Sequence, residues 1–370
     1  MENGFLKVLV VDDTVVYRKV VSDILKEIPG VEVVGIANNG RIALSKIARL
    51  KPDLLTLDVE MPEMNGLEVL AHIKKEGLDI GAIMLSTLTR QGGEITMKSL
   101  ELGAFDFITK PQEGNLRENR NRLKKIFVPM LKAFKRHVEI RHILKGKRTP
   151  EKVSNDIRGL RESADVVQRM TTYGKKKKSK SEIVAIGIST GGPNALSQML
   201  PKLPGDLNVP ILVVQHMPPI FTKSLAMNLN SKCKMEVREA ADGEPIQENT
   251  IFIAPGGKQM KVGAGPRDSD MVIRITDDPP ENSCKPSVDY LFRSISKHYK
   301  GRNTGVIMTG MGSDGAESIK LMKENGSTII AQNEATCVVY GMPKEPINAG
   351  IADVIAPLNK ISEEICRTVK

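Results

Sequence analysis

Residues 182–200 read EIVAIGISTGGPNALSQML and decide how the second half of the chain folds. The uninterrupted apolar run Ile183–Ile188 predicts a buried strand, and residues 194–200 follow a helical pattern. A glycine turn at 189–193 separates the two. A strand, a tight turn and a helix in this order lift one side chain out of a sheet edge and aim helix N–H groups at it.

The same turn makes Ser189 a candidate nucleophile. Residues 187–191 fit the pattern G-x-S-x-G, in which small flanking residues let a serine sit on a sharp turn. Two other interpretations stay open on this stretch alone. The glycines form only a strand-to-helix turn, or the loop cradles a phosphate as in dinucleotide-binding folds.

Length and composition limit the class of protein. A chain of 370 residues is long enough for two domains with separate cores. It contains no apolar run of about 18 residues and no signal-peptide pattern, so no membrane span is expected. The four cysteines lie far apart without a C-x-x-C pair, which argues against a zinc site or a disulfide framework and favours a cytoplasmic protein.

The positive charge is concentrated in one segment. Residues 115–180 contain 21 Lys and Arg against 6 Asp and Glu, whereas the whole chain has a net charge of +10. The rest of the chain is therefore net negative. Because the basic residues belong to a connecting segment, the composition is a weak argument for nucleic-acid binding, and no nucleic-acid partner is expected.

Strands and helices alternate over the first 115 residues. Strands are predicted at 6–11, 31–36, 53–57, 82–85 and 105–108. Helices are predicted at 15–27, 41–50, 67–75 and 95–102. This alternation predicts a parallel sheet wound on both sides, with the working groups at the carboxyl ends of the strands.

Charged side chains follow three of these strands. Asp12 and Asp13 come after the first strand, Asp58 after the third and Lys110 after the fifth. Converging carboxylates favour a hard divalent cation such as Mg²⁺, and a lysine beside them pairs with a carboxylate or an attached phosphoryl group. The alternative is that Asp12 and Asp13 cap the helix that begins near Val15.

The motifs V-D-D-T, L-D-V-E-M-P, M-L-S-T and T-K-P resemble those of a response-regulator receiver domain. The resemblance implies that a histidine kinase phosphorylates Asp58. It implies that Asp13 and Asp58 hold Mg²⁺ with the help of Asp12, and that Lys110 contacts the phosphoryl group.

The resemblance also implies a switch pair, Ser86 and Phe107. Ser86 is assigned this role instead of Thr87 because it directly follows the apolar residues 83–85. A phosphoryl group adds about −1.5 to −2 charge and several strong acceptors, so a nearby hydroxyl can move towards it and make room for an aromatic ring.

Apolar residues recur at three- and four-residue intervals between 116 and 138, which predicts an amphipathic helix with a kink at Pro129. Residues 151–170 are a second candidate helix, and residues 174–178 form a predicted tether. Three interpretations of this connector stay open: a solvated linker, a basic surface for acidic partners or anionic lipids, and a nucleic-acid contact. No aromatic residue interleaves the lysine run at 175–178, which disfavours the last.

Residues 181–370 continue the alternation of strands and helices. Strands are predicted at 183–188, 211–215, 251–254, 271–275, 305–308 and 328–331, and helices at 221–230, 288–298 and 316–324. A serine nucleophile needs a base, and two histidines follow it in the sequence. His216 directly follows a predicted strand, whereas His298 lies near the polar end of a helix, so His216 is the better candidate.

A third group must orient the imidazole. Residues 305–315 form another strand that runs into a glycine turn, and this turn carries Asp314. The backbone N–H groups of Met311 and Thr190 are candidates for an oxyanion hole. The alternative is that Asp314 only caps the helix beginning at Ala316.

The order Ser–His–Asp differs from that of α/β-hydrolases. The motifs G-I-S-T-G-G, Q-H-M-P, I-A-P-G-G, K-P-S-V-D and T-G-M-G-S-D-G instead resemble the catalytic domain of bacterial chemotaxis protein-glutamate methylesterases. This resemblance implies a triad of Ser189, His216 and Asp314. It implies hydrolysis of glutamate γ-methyl esters on methyl-accepting chemotaxis receptors, and deamidation of receptor glutamines, with no cofactor in this domain.

Two positions depart from the pattern of that family: Lys285 replaces an arginine and Gln259 a histidine, and both are expected to affect how the substrate is held. The predicted architecture is two doubly wound parallel-sheet α/β domains, a flavodoxin-like receiver at 1–120 and a Rossmann-like esterase at 181–370. A basic, partly helical linker at 121–180 joins them. The receiver is expected to inhibit the esterase until Asp58 is phosphorylated. The alternative function is a related phospho-regulated esterase or a signalling adaptor that acts outside chemotaxis.

Overall fold

The chain divides into two compact units, Met1–Lys135 and Arg136–Lys370. The computed structural model describes residues 4–111, 114–144, 179–267 and 270–369. The predicted helix at 151–170 and the tether at 174–178 lie outside the described residues, as does much of the predicted linker. The domain limits at 120 and 180 therefore stay a prediction.

The first unit contains one five-stranded parallel sheet. Its strands are β1 (Leu6–Val11), β2 (Val31–Ala37), β3 (Leu54–Asp58), β4 (Gly81–Ser86) and β5 (Asp106–Thr109). They lie in the order β2-β1-β3-β4-β5. The chain therefore adds β2 on one side of β1 and β3 on the other, so the strand order reverses between β1 and β3. The predicted flavodoxin-like parallel fold is confirmed, and ligands bind such sheets at the carboxyl ends of the strands near this reversal.

Five helices connect and follow these strands. They are α1 (Val15–Lys26), α2 (Gly40–Leu50), α3 (Gly66–Lys75), α4 (Arg90–Leu102) and α5 (Leu116–Leu144). Asn65 caps α3 in a capping box, since its side chain accepts from the Glu68 N–H and the Glu68 carboxylate accepts from the Asn65 N–H. Pro129 lies inside α5, which crosses the predicted boundary at residue 120.

The second unit contains a seven-stranded parallel sheet. Its strands are β6 (Ile183–Ile188), β7 (Ile211–Gln215), β8 (Glu236–Glu239), β9 (Thr250–Ile253), β12 (Asn303–Ile307), β13 (Thr328–Gln332) and β14 (Val354–Ala356). The order is β14-β13-β12-β6-β7-β9-β8. Here the strand order reverses between β6 and β12. The loops after β12, β6 and β7 therefore lie next to one another at the carboxyl edge of the sheet.

A separate antiparallel hairpin was not predicted. Its strands are β10 (Gln259–Ala264) and β11 (Met271–Thr276), which pair with each other and not with the large sheet. The prediction that 271–275 belongs to the parallel sheet was therefore wrong in its pairing. Strand β8 was also missed, because a four-residue edge strand with charged residues at both ends carries little apolar signal.

The helices of the second unit are Gly192–Met199, Phe221–Asn230, Val288–His298, Ala316–Glu324, Lys344–Asn348 and Leu358–Val369. One face of the sheet packs on a buried apolar cluster that includes Phe252, Phe292 and Met322. This close packing fixes the ends of the central strands, from which the candidate site is built. In the described parts of both units, no helix combines the length and the hydropathy that crossing a bilayer requires.

Candidate active site and phosphorylation site

In the first unit, a buried lysine lies between two carboxylates. Asp12 follows β1, Asp58 ends β3 and Lys110 follows β5, so neighbouring strands bring them together. Lys110 Nζ lies 2.6 Å from Asp58 Oδ2 and 2.7 Å from Asp12 Oδ2, and all three side chains are buried. The strand ends thus meet as the sequence predicted.

The ionisation of Asp58 is finely balanced. Burial raises the pKa of Asp58, the charge of Lys110 opposes this and the charge of Asp12 adds to it, so that the pKa reaches about 7. Because burial makes the ionised carboxylate costly, a further cation beside Asp58 would stabilise its charged form.

The donor set suits a hard divalent cation. Asp12, Asp13 and Asp58 each offer a carboxylate oxygen, and these oxygens lie within 4.8 Å of one another. Asp13 is exposed, which leaves one side of the cluster open to solvent. Oxygen-only ligands with room for water are what Mg²⁺ prefers, so the residues present fit the ion.

The capping alternative for Asp12 does not hold. Thr14, not Asp12 or Asp13, is the N-cap residue of α1. One oxygen of Asp12 accepts a hydrogen bond from the Thr14 N–H at 2.9 Å, and the other faces Lys110.

The predicted switch residues occupy the adjacent strands β4 and β5. Ser86 ends β4 and is fully buried, and its Oγ accepts a hydrogen bond from Thr96 Oγ1 at 2.9 Å. Phe107 is half-buried on β5 and pairs in register with Met84. Sequence reasoning missed Thr96, because nothing in the pattern of α4 marks a polar residue that faces inward.

In the second unit, the three predicted catalytic residues follow three adjacent strands. Ser189 follows β6, His216 follows β7 and Asp314 lies in the glycine loop after β12. Two backbone hydrogen bonds tie these loops together, from the His216 N–H to the Ile188 carbonyl at 3.2 Å and from the Ser189 N–H to the Thr309 carbonyl at 3.0 Å.

His216 and Asp314 form a direct pair. His216 Nε2 lies 2.8 Å from Asp314 Oδ2, and the carboxylate is almost fully buried. His298 cannot replace it, because Asp314 contacts the N-terminal end of the helix Val288–His298 and His298 is at the other end, roughly 15 Å away at 1.5 Å per residue.

Asp314 does not cap the helix that follows it. The N-cap of the helix Ala316–Glu324 is Gly315. The Asp314 carboxylate instead accepts hydrogen bonds from the Val288 N–H at 2.7 Å and the Asp289 N–H at 3.2 Å. It thus lies at the positive end of another helix, where a negative charge is stabilised.

Two side chains add to this network. Ser287 Oγ donates to Asp314 Oδ1 at 2.8 Å, and Asn282 Nδ2 donates to the same oxygen at 3.1 Å. Although burial by itself raises the pKa of Asp314, the hydrogen bond and charge of His216 and the other donors lower it to about 2. Asp314 is therefore ionised throughout the physiological range.

The imidazole is correspondingly basic. Burial by itself lowers the pKa of His216, but the hydrogen bonds to Asp314 and to Cys284 outweigh it and raise the pKa to about 9. The negative charge next to the ring favours imidazolium, the form that appears after a base has taken a proton.

Ser189 lies beside this pair with its backbone held in place. Its carbonyl oxygen accepts from the Gly192 N–H at 2.7 Å and from Gln215 Nε2 at 3.0 Å. Among the residues that the structure describes, the side-chain partners of His216 are Asp314 and Cys284, and Ser189 Oγ is not one of them. The structure therefore joins the base to the acid, and the Ser189 hydroxyl is not part of this hydrogen-bonded pair.

The predicted oxyanion donors, Thr190 and Met311, lie in the loops after β6 and β12, which also carry Ser189 and Asp314. Thr190 is half-buried, Met311 is exposed, and in the described part of the chain neither N–H donates a backbone hydrogen bond. The Ser189 N–H is not available in the same way, because it is bound to Thr309.

The two departures from the family pattern have different surroundings. Gln259 is fully buried, and its Oε1 accepts from the Ser287 N–H at 2.8 Å, so it supports the segment that carries Ser287. Lys285 Nζ donates to the Asp277 carbonyl at 2.9 Å. Any effect of Gln259 on substrate is therefore indirect.

Sequence reasoning missed Asn282 and Cys284, which precede the K-P-S-V-D motif without matching a pattern of their own.

Two family models match the chain: CheB methylesterase over residues 184–365 and Response regulator receiver domain over residues 8–120. A protein-glutamate methylesterase/protein-glutamine glutaminase from Desulfotalea psychrophila is 54% identical over 366 residues, 99% of each chain. One from Bacillus subtilis is 44% identical over 366 residues, also 99% of each. The crystal structure of the Thermotoga maritima CheB methylesterase catalytic domain aligns with a TM-score of 0.49 at 41% identity, over 51% of this chain and 99% of that one.

Proposed function

The chain belongs to the family of CheB methylesterases that carry a response regulator receiver domain, and from this premise we propose a phosphorylation-regulated chemotaxis methylesterase whose triad is Ser189, His216 and Asp314. Its substrates are glutamate γ-methyl esters, and also glutamine side chains, on methyl-accepting chemotaxis receptors. The observation that supports the triad is the buried His216–Asp314 pair, 2.8 Å apart, on loops that adjoin Ser189.

The first half of the reaction forms an acyl-enzyme. Nδ1 of neutral His216 takes the proton of Ser189 Oγ, and the oxygen attacks the ester carbonyl. The carbonyl oxygen becomes an oxyanion, which the N–H groups of Thr190 and Met311 stabilise. The imidazolium then returns the proton to the methoxy oxygen, the carbon–oxygen bond breaks, and methanol leaves.

The second half regenerates the enzyme. His216 takes a proton from water, the hydroxyl attacks the acyl carbon, and the proton passes to Ser189 Oγ as the ester bond to the enzyme breaks. The product is a glutamate carboxylate. A glutamine side chain passes through the same tetrahedral oxyanion and releases ammonia, so one site serves both reactions.

Asp314 contributes in two ways. It holds the ring by Nε2, which leaves Nδ1 as the nitrogen that exchanges protons with serine. It also stabilises the imidazolium formed in each half-reaction. The hydrogen bonds of Asp314 to the backbone of Val288 and Asp289 keep the carboxylate in place as the ring changes its charge.

The first unit supplies the regulation. A phosphohistidine of a histidine kinase is the expected donor, and the Asp58 carboxylate is the acceptor. Asp12, Asp13 and Asp58 would hold Mg²⁺, which offsets the negative charge of the phosphoryl oxygens. Lys110 then pairs with a phosphoryl oxygen in place of Asp58, and Ser86 turns its hydroxyl towards the new acceptor. The unphosphorylated receiver inhibits hydrolysis.

Methanol release from receptor carrying radioactive methyl groups tests the proposal. The full chain should release labelled methanol, Ser189→Ala should abolish release while keeping the circular dichroism spectrum, and a small acyl phosphate should increase the rate. Asp58→Asn is the matched control for the last result, since it retains Ser189 and His216. Release that persists in Ser189→Ala refutes the triad, and stimulation that persists in Asp58→Asn refutes the regulation.

A further inference from the structure

Cys284 places its thiol against the free nitrogen of the catalytic imidazole. Its Sγ lies 3.7 Å from His216 Nδ1, on the opposite side of the ring from Asp314. Cys284 is half-buried and therefore reachable from solvent. Donor atoms of Cys284, His216 and Asp314 all lie within 4.8 Å of one another.

A tight turn holds the thiol in this position. Asn282 and Ser283 have φ values of 51° and 62°, and the Glu281 and Cys284 backbones exchange hydrogen bonds of 3.1 and 2.8 Å across them. This is the pattern of a two-residue hairpin turn. Asn282 Nδ2 also donates to Asp289 Oδ2 at 2.8 Å, which ties the turn to the Asp314 network. The sulfur is therefore presented by a rigid segment.

The separation of the two donor atoms suits a soft divalent cation. Zinc binds an imidazole nitrogen at about 2.0–2.1 Å and a thiolate at about 2.3 Å, so a tetrahedral site holds the two ligand atoms ~3.5 Å apart. The pair in this structure needs to close by only a few tenths of an ångström. Cysteine spacing could not show this site, because its ligands come from distant segments.

Asp314 completes the arrangement as a supporting group. Both of its oxygens already accept backbone hydrogen bonds, so it is not a good ligand itself. A carboxylate on the far nitrogen of a metal-binding histidine orients the ring and increases its basicity. We propose that His216 Nδ1 and Cys284 Sγ bind Zn²⁺ or a similar soft divalent cation, with water or a substrate oxygen as further ligands.

Such binding inhibits hydrolysis reversibly. The metal occupies the lone pair of Nδ1 that must take the proton of Ser189, and binding displaces the thiol proton of Cys284. The inhibition rests on the proposed function, but the binding itself does not. At a free Zn²⁺ concentration ten times the dissociation constant, the activity should fall about tenfold by mass action.

Cobalt absorption tests the binding without any reference to activity. Co²⁺ added to the reduced full chain should give the near-ultraviolet absorption of a thiolate–cobalt bond. Cys284→Ser should remove it, and His216→Asn should weaken Co²⁺ binding at least about 100-fold, since even loss of a supporting partner costs about 10- to 100-fold. Asp13→Asn, which alters the carboxylate cluster in the receiver, should leave the absorption unchanged.

Zn²⁺ titration of methanol release tests the consequence. Each variant is compared with its own metal-free rate, and Cys233→Ser is the matched control because Cys233 is also half-buried but lies outside the cluster. Inhibition should disappear in Cys284→Ser and persist in Cys233→Ser. Equal inhibition of Cys284→Ser, or cobalt spectra that do not depend on Cys284, would overturn the proposal. If the wild type releases no methanol but still gives the cobalt absorption, the proposed function is refuted and the proposed metal site is not.

Discussion

Asp314 binds His216 through Nε2, at 2.8 Å, and so leaves Nδ1 as the nitrogen that must serve the nucleophile. The carboxylate can do this because it lies at the N-terminus of the helix Val288–His298 and accepts two of its N–H groups. A buried charge that is bound on several sides does not reorient when the ring becomes charged.

Replacing Asp314 with asparagine should lower kcat by about 10³- to 10⁴-fold with little change in KM, because the imidazolium loses its counter-charge and the ring its fixed orientation. Steady-state methanol release from methylated receptor measures both constants. Asp206→Asn, which removes the charge of an exposed loop carboxylate, is the control and should behave as wild type. A loss of kcat below about tenfold would contradict the role given to the pair.

The activity should rise with pH up to about 9. The reaction needs neutral imidazole, and the pKa of His216 is raised to about 9, so protonation limits the rate at neutral pH. The Asp314 pKa of about 2 keeps that carboxylate ionised over the whole range. The pH profile of kcat/KM, measured on the protein phosphorylated at Asp58, gives the apparent pKa of His216. A profile already flat at pH 7 contradicts the stabilisation of imidazolium by Asp314.

Asn282 should matter for both stability and rate. Asn282→Gly removes the hydrogen bonds to Asp289 and Asp314, so it should lower the free energy of unfolding by about 1.5–3 kcal/mol and reduce kcat. Ser283→Gly is a matched control, since both positions have positive φ and both gain from glycine. Denaturant unfolding and methanol release on both variants separate the turn from the hydrogen bonds. Equal effects of the two substitutions would assign the role to the turn alone.

The strands that carry the candidate site could be predicted from the sequence. β1, β6 and β7 begin and end where predicted, because each is a mostly apolar run that is followed directly by a polar residue. The residue that follows each of them is the predicted Asp12, Ser189 or His216. Parallel strands that end at one edge bring such residues together without any knowledge of long-range contacts.

The surroundings of these residues could not be predicted. Which nitrogen of His216 meets Asp314 depends on the orientation of the ring, and in the structure Nε2 faces Asp314 while Nδ1 faces Cys284, 68 positions away in the chain. The hairpin of β10 and β11 also escaped prediction, because a strand pattern does not tell which strand it pairs with.

Asp58→Asn should stabilise the first unit more at pH 8 than at pH 5 when no divalent cation is added. The folded pKa of Asp58, about 7, is raised above the unfolded value, so the stability linked to its protonated form is present at low pH and is lost as pH rises towards 7. Asparagine removes that loss, which is at most about 4 kcal/mol. Thermal unfolding of the wild type and of Asp58→Asn at the two pH values measures this difference. A larger gain in stability at pH 5 than at pH 8 would contradict the raised pKa of Asp58.

Gly310 allows Ser189 its position, and a side chain there should damage catalysis. A Cβ on Gly310 would lie 2.8 Å from Ser189 Cβ and would also collide with the Met342 side chain. Gly310→Ala should therefore cost about 1–3 kcal/mol of stability and, if it moves Ser189 by about 1 Å, roughly 100-fold in kcat.

Gly312→Ala is the matched control in the same loop. Gly312 has a φ of +84° with nothing within 4 Å of an added Cβ, so alanine there strains the backbone by about 1 kcal/mol without pushing on Ser189. Both variants should lose stability, but only Gly310→Ala should also lose the labelling of Ser189 by a fluorophosphonate under folded conditions. If the two variants lose activity equally, the close approach of Gly310 to Ser189 does not position the serine. The conformation of the whole loop then determines the activity.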